Sequence, residues 1–97
     1  MNKAARYKFR LYVAGDSPNS LQATANLRAF CAEHLPDLHQ IEIVDVLHEP
    51  KRALDEGVFL TPTLVRLSPQ PVRKIIGTLK ESSVLLQLLE SSPGSKA

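Results

Sequence analysis

The sequence predicts one α/β domain, with the element order β-α-β-α-β-β-α around a four-stranded mixed sheet. Three observations predict it. Apolar residues alternate with polar ones near the start of the chain, which is strand spacing. They then recur at helical spacing after a Ser-Pro-Asn-Ser segment. Further on, β-branched runs alternate with turns marked by proline and glycine, with no internal repeat. The chain has 97 residues, enough for one modest core.

Each element has its own signal. Phe9, Leu11 and Val13 alternate with Lys8, Arg10 and Tyr12, and the run ends at Ala14-Gly15, so the first strand is Tyr7–Val13. Asp16 to Ser20 is rich in short oxygens that bond nearby backbone amides. From Ser20 onward, Ala23, Leu27, Phe30 and Cys31 fall at i, i+4, i+7 and i+8, one face of a helix. Pro36 disfavours helical geometry before it and should stop that helix near Leu35. Ile41 to Val46 is β-branched and reads as a strand. Glu49-Pro50 reads as the start of a short helix and Gly57 as its stop.

Val58 to Leu67 is apolar and β-prone, interrupted by Thr61-Pro62-Thr63. A proline inside such a run marks an edge, an end or a bulge. Pro69 and Pro71 mark a turn, and Val72–Gly77 is the strand expected to pair across it. Glu81 to Glu90, with its core Val84–Leu89, closes the domain as a helix. The domain is thus 1–90, and residues 91–97 form a polar, flexible tail.

A βαβ unit followed by a helix, a hairpin and a closing helix is the thioredoxin arrangement. In that fold, chemistry belongs to the loop after the first strand. A thioredoxin carries Cys-x-x-Cys there, and the helix N-terminus lowers the thiol pKa. Here Ser17-Pro18-Asn19-Ser20 keeps the spacing and lacks both sulfurs. Ser17 and Ser20 read as helix caps, and dithiol exchange is excluded at that loop. Cys31, on the apolar helix face, reads as a buried structural thiol. His34, His39 and His48 lack partners at metal-ligand spacing, and the isolated glycines form no phosphate loop, so no metal or cofactor is expected.

A net charge of +2 falls short of a nucleic-acid binder. Arg66, Arg73, Lys74 and Lys80 are the residues such binding would use. Lys3, Arg6, Lys8 and Arg10 leave no continuous apolar run at the start, and no stretch reaches the ~20 apolar residues of a membrane span. The cytoplasm is the expected location.

Leu11-Tyr12-Val13-Ala14-Gly15 followed by Ser17-Pro18-Asn19-Ser20 resembles the opening of the KaiB family. Val44-Asp45-Val46-Leu47 with Pro50, Thr61-Pro62-Thr63-Leu64, and Pro69-x-Pro71-Val72-Arg73-Lys74-Ile75-Ile76-Gly77 match it too. The resemblance implies a circadian clock component or a paralogue of one. Such a protein is not an enzyme. It binds the ATPase ring of KaiC and alters its phosphorylation cycle, and in cyanobacteria it captures KaiA. KaiB-like domains also stand at the front of some histidine kinases, which makes such a kinase a candidate competitor.

The resemblance further implies two folds, a resting tetramer ordered βαββααβ and a thioredoxin-like monomer that binds KaiC. The docking surface it implies is the second helix, with Glu49, Lys51, Arg52, Asp55 and Glu56 as candidate contacts. Arg73 and Lys74 form a second candidate patch. Pro62, Pro69 and Pro71 are structural, and Pro62 is expected to be cis by analogy with thioredoxins. Gln87 and Leu89 stand where the family usually has glycine and aspartate, and the tail is not acidic. Glycine costs about 1 kcal/mol inside a helix. Gln87 therefore favours the state in which Val84–Leu89 is helical, the thioredoxin-like monomer. The competing readings are an enzyme on the same scaffold, such as a glutathione-dependent one, and a sensor-type protein-binding module without Cys-x-x-Cys chemistry.

Overall fold

A computed structural model describes residues 6–89. Its elements are β1 (Tyr7–Val13), α1 (Pro18–His34), β2 (His39–Asp45), α2 (Pro50–Glu56), β3 (Thr63–Ser68), β4 (Arg73–Ile76) and α3 (Ser82–Leu86), with a closing 3-10 turn at Gln87–Leu89. The order is βαβαββα, as expected, and not that of the resting tetramer. The tail expected over 91–97 lies outside the described residues.

The sheet is ordered β2-β1-β3-β4. β1 and β2 are parallel, with Leu11 opposite Ile43, and α1 supplies the crossover that parallel neighbours require. β3 runs antiparallel to both β1 and β4. Strand alternation divides the apolar residues between two faces. Phe9, Leu11 and Leu64 pack on one face with Leu27, Phe30, Leu85 and Leu88. Tyr12, Val44 and Val65 pack on the other with Ala53 and Val58. The stripe read from spacing, Ala23, Leu27, Phe30 and Cys31, is the buried side of α1.

Several boundaries differ from expectation, β4 among them at Arg73–Ile76 rather than Val72–Gly77. α1 begins at Pro18 rather than Ser20, because Ser17 is the N-cap and Pro18 needs no hydrogen-bond donor there. β2 runs His39–Asp45 rather than Ile41–Val46. β3 begins only at Thr63. Gly57 ends α2 in the left-handed region at φ 78, and Pro62 offers no amide, so Val58–Pro62 forms an irregular link. Thr61–Pro62 is cis, as are Ser68–Pro69 and Gln70–Pro71. Val84–Leu89 is helical, α then 3-10, with Gln87 exposed at the junction.

Arg66 corrects one expectation outright. It is no surface cation: it is fully buried, on the α1 face of β3. Its Nη1 donates to the Leu88 carbonyl at 2.6 Å and its Nη2 to the Pro71 carbonyl at 2.8 Å. A nucleic-acid patch through Arg66 is therefore ruled out.

Candidate functional site

The loop after β1 holds the positions where a thioredoxin keeps its sulfurs. Ser17 and Ser20 Oγ lie 2.8 Å apart. The Ser20 amide donates to Ser17 Oγ at 3.3 Å, and the Ala14 amide donates to Ser20 Oγ at 3.0 Å. Ser20 is buried and Ser17 half-buried. Both hydroxyls are thus occupied in holding the β1–α1 corner, and among the described residues neither is hydrogen-bonded to a basic side chain or a carboxylate. Cys31 is buried, and desolvation pushes its thiol up to about 11, which leaves it inert at neutral pH. Among the described residues, no three His, Cys, Asp or Glu side chains are grouped to hold a metal.

Asp45 braces the same end of the sheet. Its Oδ1 accepts from the amides of Leu47 at 2.9 Å and Gly15 at 3.0 Å, and His48 Nδ1 lies 3.1 Å from Oδ2. Those amides, Leu47 first, hold the carboxyl below its ordinary 3.8. A lowered folded-state value means stabilisation that is complete above the unfolded value and lost as pH falls through the folded one. Urea midpoints should therefore drop on acidification below the ordinary 3.8, and the drop should be shallower in Asp45→Asn. Identical pH profiles for the two proteins would show that Asp45 braces nothing.

The surface residues singled out from the sequence fall into two groups. Arg52 and Glu56 turn toward the sheet. Arg52 Nη1 pairs with Glu42 at 2.9 Å and with Glu49 at 3.3 Å. Arg10 pairs with Glu42 at 2.8 Å and with Glu56 at 3.3 Å. These cations, Arg52 first, hold the Glu42 carboxyl below its ordinary value. The network ties α2 to β1 and β2. Lys74 Nζ donates to the Glu56 carbonyl at 2.6 Å, at the end of α2 where a cation suits the helix dipole. Lys51 and Asp55 point outward as an exposed i,i+4 pair at 3.2 Å. Arg73 is exposed on β4. The outward charge of α2 is thus Lys51, Asp55 and part of Glu49.

Sequence reasoning missed the apolar part of this surface. Phe59 is 79% exposed, Leu60 60% and Ile76 60%. With Gly57, Val58 and Lys74 they line an open groove of about 140 Å³ beside β4. Phe59 and Leu60 belong to a run read as strand. The signal that could have found them is Pro62, which ends the pairing before they are reached.

Comparison with known proteins fits this geometry. Residues 10–91 match the KaiB domain. The circadian clock protein KaiB3 of Synechocystis sp. is 41% identical over 88 residues, 91% of this chain and 86% of that one. The circadian clock oscillator protein KaiB of Nostoc sp. is 39% identical over 87 residues, 89% of this chain and 81% of its own. In shape the chain is similar to the N-terminal domain of Synechococcus elongatus SasA, with TM-score 0.79 at 16% identity, over 100% of this chain and 92% of that one. It is also similar to mitochondrial thioredoxin 3 of Saccharomyces cerevisiae, with TM-score 0.71 at 19% identity, covering 91% and 80%. A fold that keeps the thioredoxin frame, with serines at the sulfur positions and a sequence match across nearly its whole length, places the chain in the KaiB family.

Proposed function

We propose that the chain is a non-enzymatic clock-type regulator that binds a KaiC-type ATPase in its thioredoxin-like form and modulates its phosphorylation cycle. The observation that carries this reading is the contrast between the loop after β1 and α2. The loop after β1 has serine hydroxyls accepting from backbone amides, whereas α2 presents a charged outer face and is tied to the sheet by ion pairs. Family membership supports the clock assignment. KaiA, or a histidine kinase with a KaiB-like domain, would be a further partner or competitor in this reading. The monomer is the proposed binding form.

The test must spare Arg52 and Glu56, whose reversal would break the α2 network. The double swap Lys51→Glu/Asp55→Lys keeps the i,i+4 pair and inverts the outward face. Wild-type chain is expected to co-elute with a purified KaiC hexamer after prolonged incubation with ATP, and the swap to abolish co-elution. Undiminished co-elution of the swapped protein would remove α2 from the interface. Failure of the wild type to bind would remove the ATPase.

A further inference from the structure

β4 is one of the two edge strands of the sheet among the described residues, pairing with β3 alone as β2 pairs with β1 alone. The Gly77 amide donates to the Pro62 carbonyl at 3.0 Å, which makes 62 and 77 a hydrogen-bonded pair in line with Thr63 opposite Ile76 and Val65 opposite Lys74. Antiparallel pairs alternate between bonded and non-bonded. The backbone groups of Arg73 and Ile75 therefore face β3, and those of Lys74 and Ile76 face the open edge.

An apolar groove flanks this edge on each side of the sheet. On the α2 face lies the groove of about 140 Å³ lined by Phe59, Leu60, Thr63 and Ile76. On the α3 face Ile75, Leu79 and Val84 line another of about 230 Å³. Side chains of an added strand would alternate between these faces. Residues opposite Ile75 and Ile76 would each enter a different groove. Residues opposite Arg73 and Lys74 would meet cations, and Lys80 adds a third at the rim of the larger groove, beside Glu81. A second copy of this chain fits poorly: opposed residues must both face the edge, so antiparallel self-pairing through the middle of β4 sets Lys74 either against Ile76 or against the Lys74 of the other copy.

We infer that the β4 edge receives an extended segment of another protein, with two successive apolar residues against Ile75 and Ile76 and two successive carboxylates against Arg73 and Lys74. Antiparallel addition reads apolar, apolar, acidic, acidic; parallel addition reverses it. This edge is separate from the outward face of α2 and does not depend on the ATPase reading.

The test uses the full chain, isotope-labelled, with the capped octapeptide Ser-Thr-Val-Val-Asp-Glu-Ser-Thr and its reverse. Saturable binding of either should slow amide hydrogen exchange at Lys74 and Ile76 about tenfold or more while Ile75, already paired, is unchanged. Ile76→Lys and, separately, Arg73→Glu should each weaken binding about fivefold or more. A peptide with lysines in place of its carboxylates should not bind. Unchanged exchange at Lys74 and Ile76 with millimolar peptide of both orders would overturn the inference. So would equal binding of the lysine peptide, or protection that grows with protein concentration in the absence of peptide, which would mark a second copy.

Discussion

Arg66→Ala is expected to be among the most destabilising single substitutions in the molecule, at about 2–4 kcal/mol. The guanidinium is fully buried on the apolar α1 face, and no carboxylate bonds it among the described residues. Its two terminal nitrogens hold the Leu88 and Pro71 carbonyls, and its Nε has no partner there. Burial pushes its pKa down, and an arginine still keeps its proton. Alanine would leave a cavity and two orphaned carbonyls, at about 1–3 kcal/mol for each unsatisfied group. Relief of a charge buried without a counter-ion opposes that loss. Arg66→Met separates the two effects, because it refills the volume and removes the charge; it should cost about 1–2 kcal/mol. Arg66→Lys should fall nearer alanine, since a single ammonium cannot span two carbonyls that a planar fork reaches together. Urea midpoints in the order Met, then Lys and Ala, would bear this out. Alanine at wild-type stability would mean that the arginine bonds contribute nothing net. Because Leu88 sits in the closing turn and Pro71 in the β3–β4 turn, the loss should be felt first in the second half of the chain.

Arg66 also shows where sequence reasoning stops. Strand β1 was legible to the residue, because Phe9, Leu11 and Val13 alternate cleanly and the strand is central. The buried stripe of α1 was legible for the same reason, periodicity against one core. A lone arginine within Leu64-Val65-Arg66-Leu67 carries no such sign. Its partners are carbonyls, which every residue supplies, at sequence separations of 5 and 22. Arg52 and Glu56 are similar: charges on a short helix read as solvated, and only tertiary placement puts them against Arg10 and Glu42. Phe59 and Leu60 fail in the opposite direction. Local composition reads them as part of an apolar, β-prone run, but a left-handed Gly57 and an amide-less Pro62 leave them outside the strand and exposed. Patterning thus reports the core, while polar burial and apolar exposure are decided by contacts distant in sequence.

Restoring sulfur at both serines should give the scaffold an activity that the wild type lacks. In Ser17→Cys/Ser20→Cys the two thiols would replace hydroxyls now 2.8 Å apart, and small side-chain rotations bring that pair to the ~2.05 Å of a disulfide. Residue 17 is half-buried at the N-cap of a 17-residue helix, and the Ser20 amide already donates to its side chain. The same donor and the helix dipole would stabilise a thiolate, drawing its pKa from ~8.5 toward ~7 or below. Residue 20 is buried behind it and would act as the resolving thiol. The thiolate at 17 attacks a substrate disulfide and forms a mixed disulfide. The thiol at 20, losing its proton, then displaces it, which releases reduced substrate and leaves the internal bond. An external dithiol closes the cycle. Loss of the bond from the Ala14 amide should cost about 1 kcal/mol of stability. Ser17→Cys alone should capture glutathione once and turn nothing over, and Cys31 should stay silent because burial holds its thiol near 11. Turnover in an insulin-reduction assay by the double variant, with none by wild type or either single variant, is the expected result. A double variant whose thiols never pair under oxidising conditions would show that the corner has drifted from the dithiol geometry, and that serine here marks a reshaped loop rather than a lost reaction.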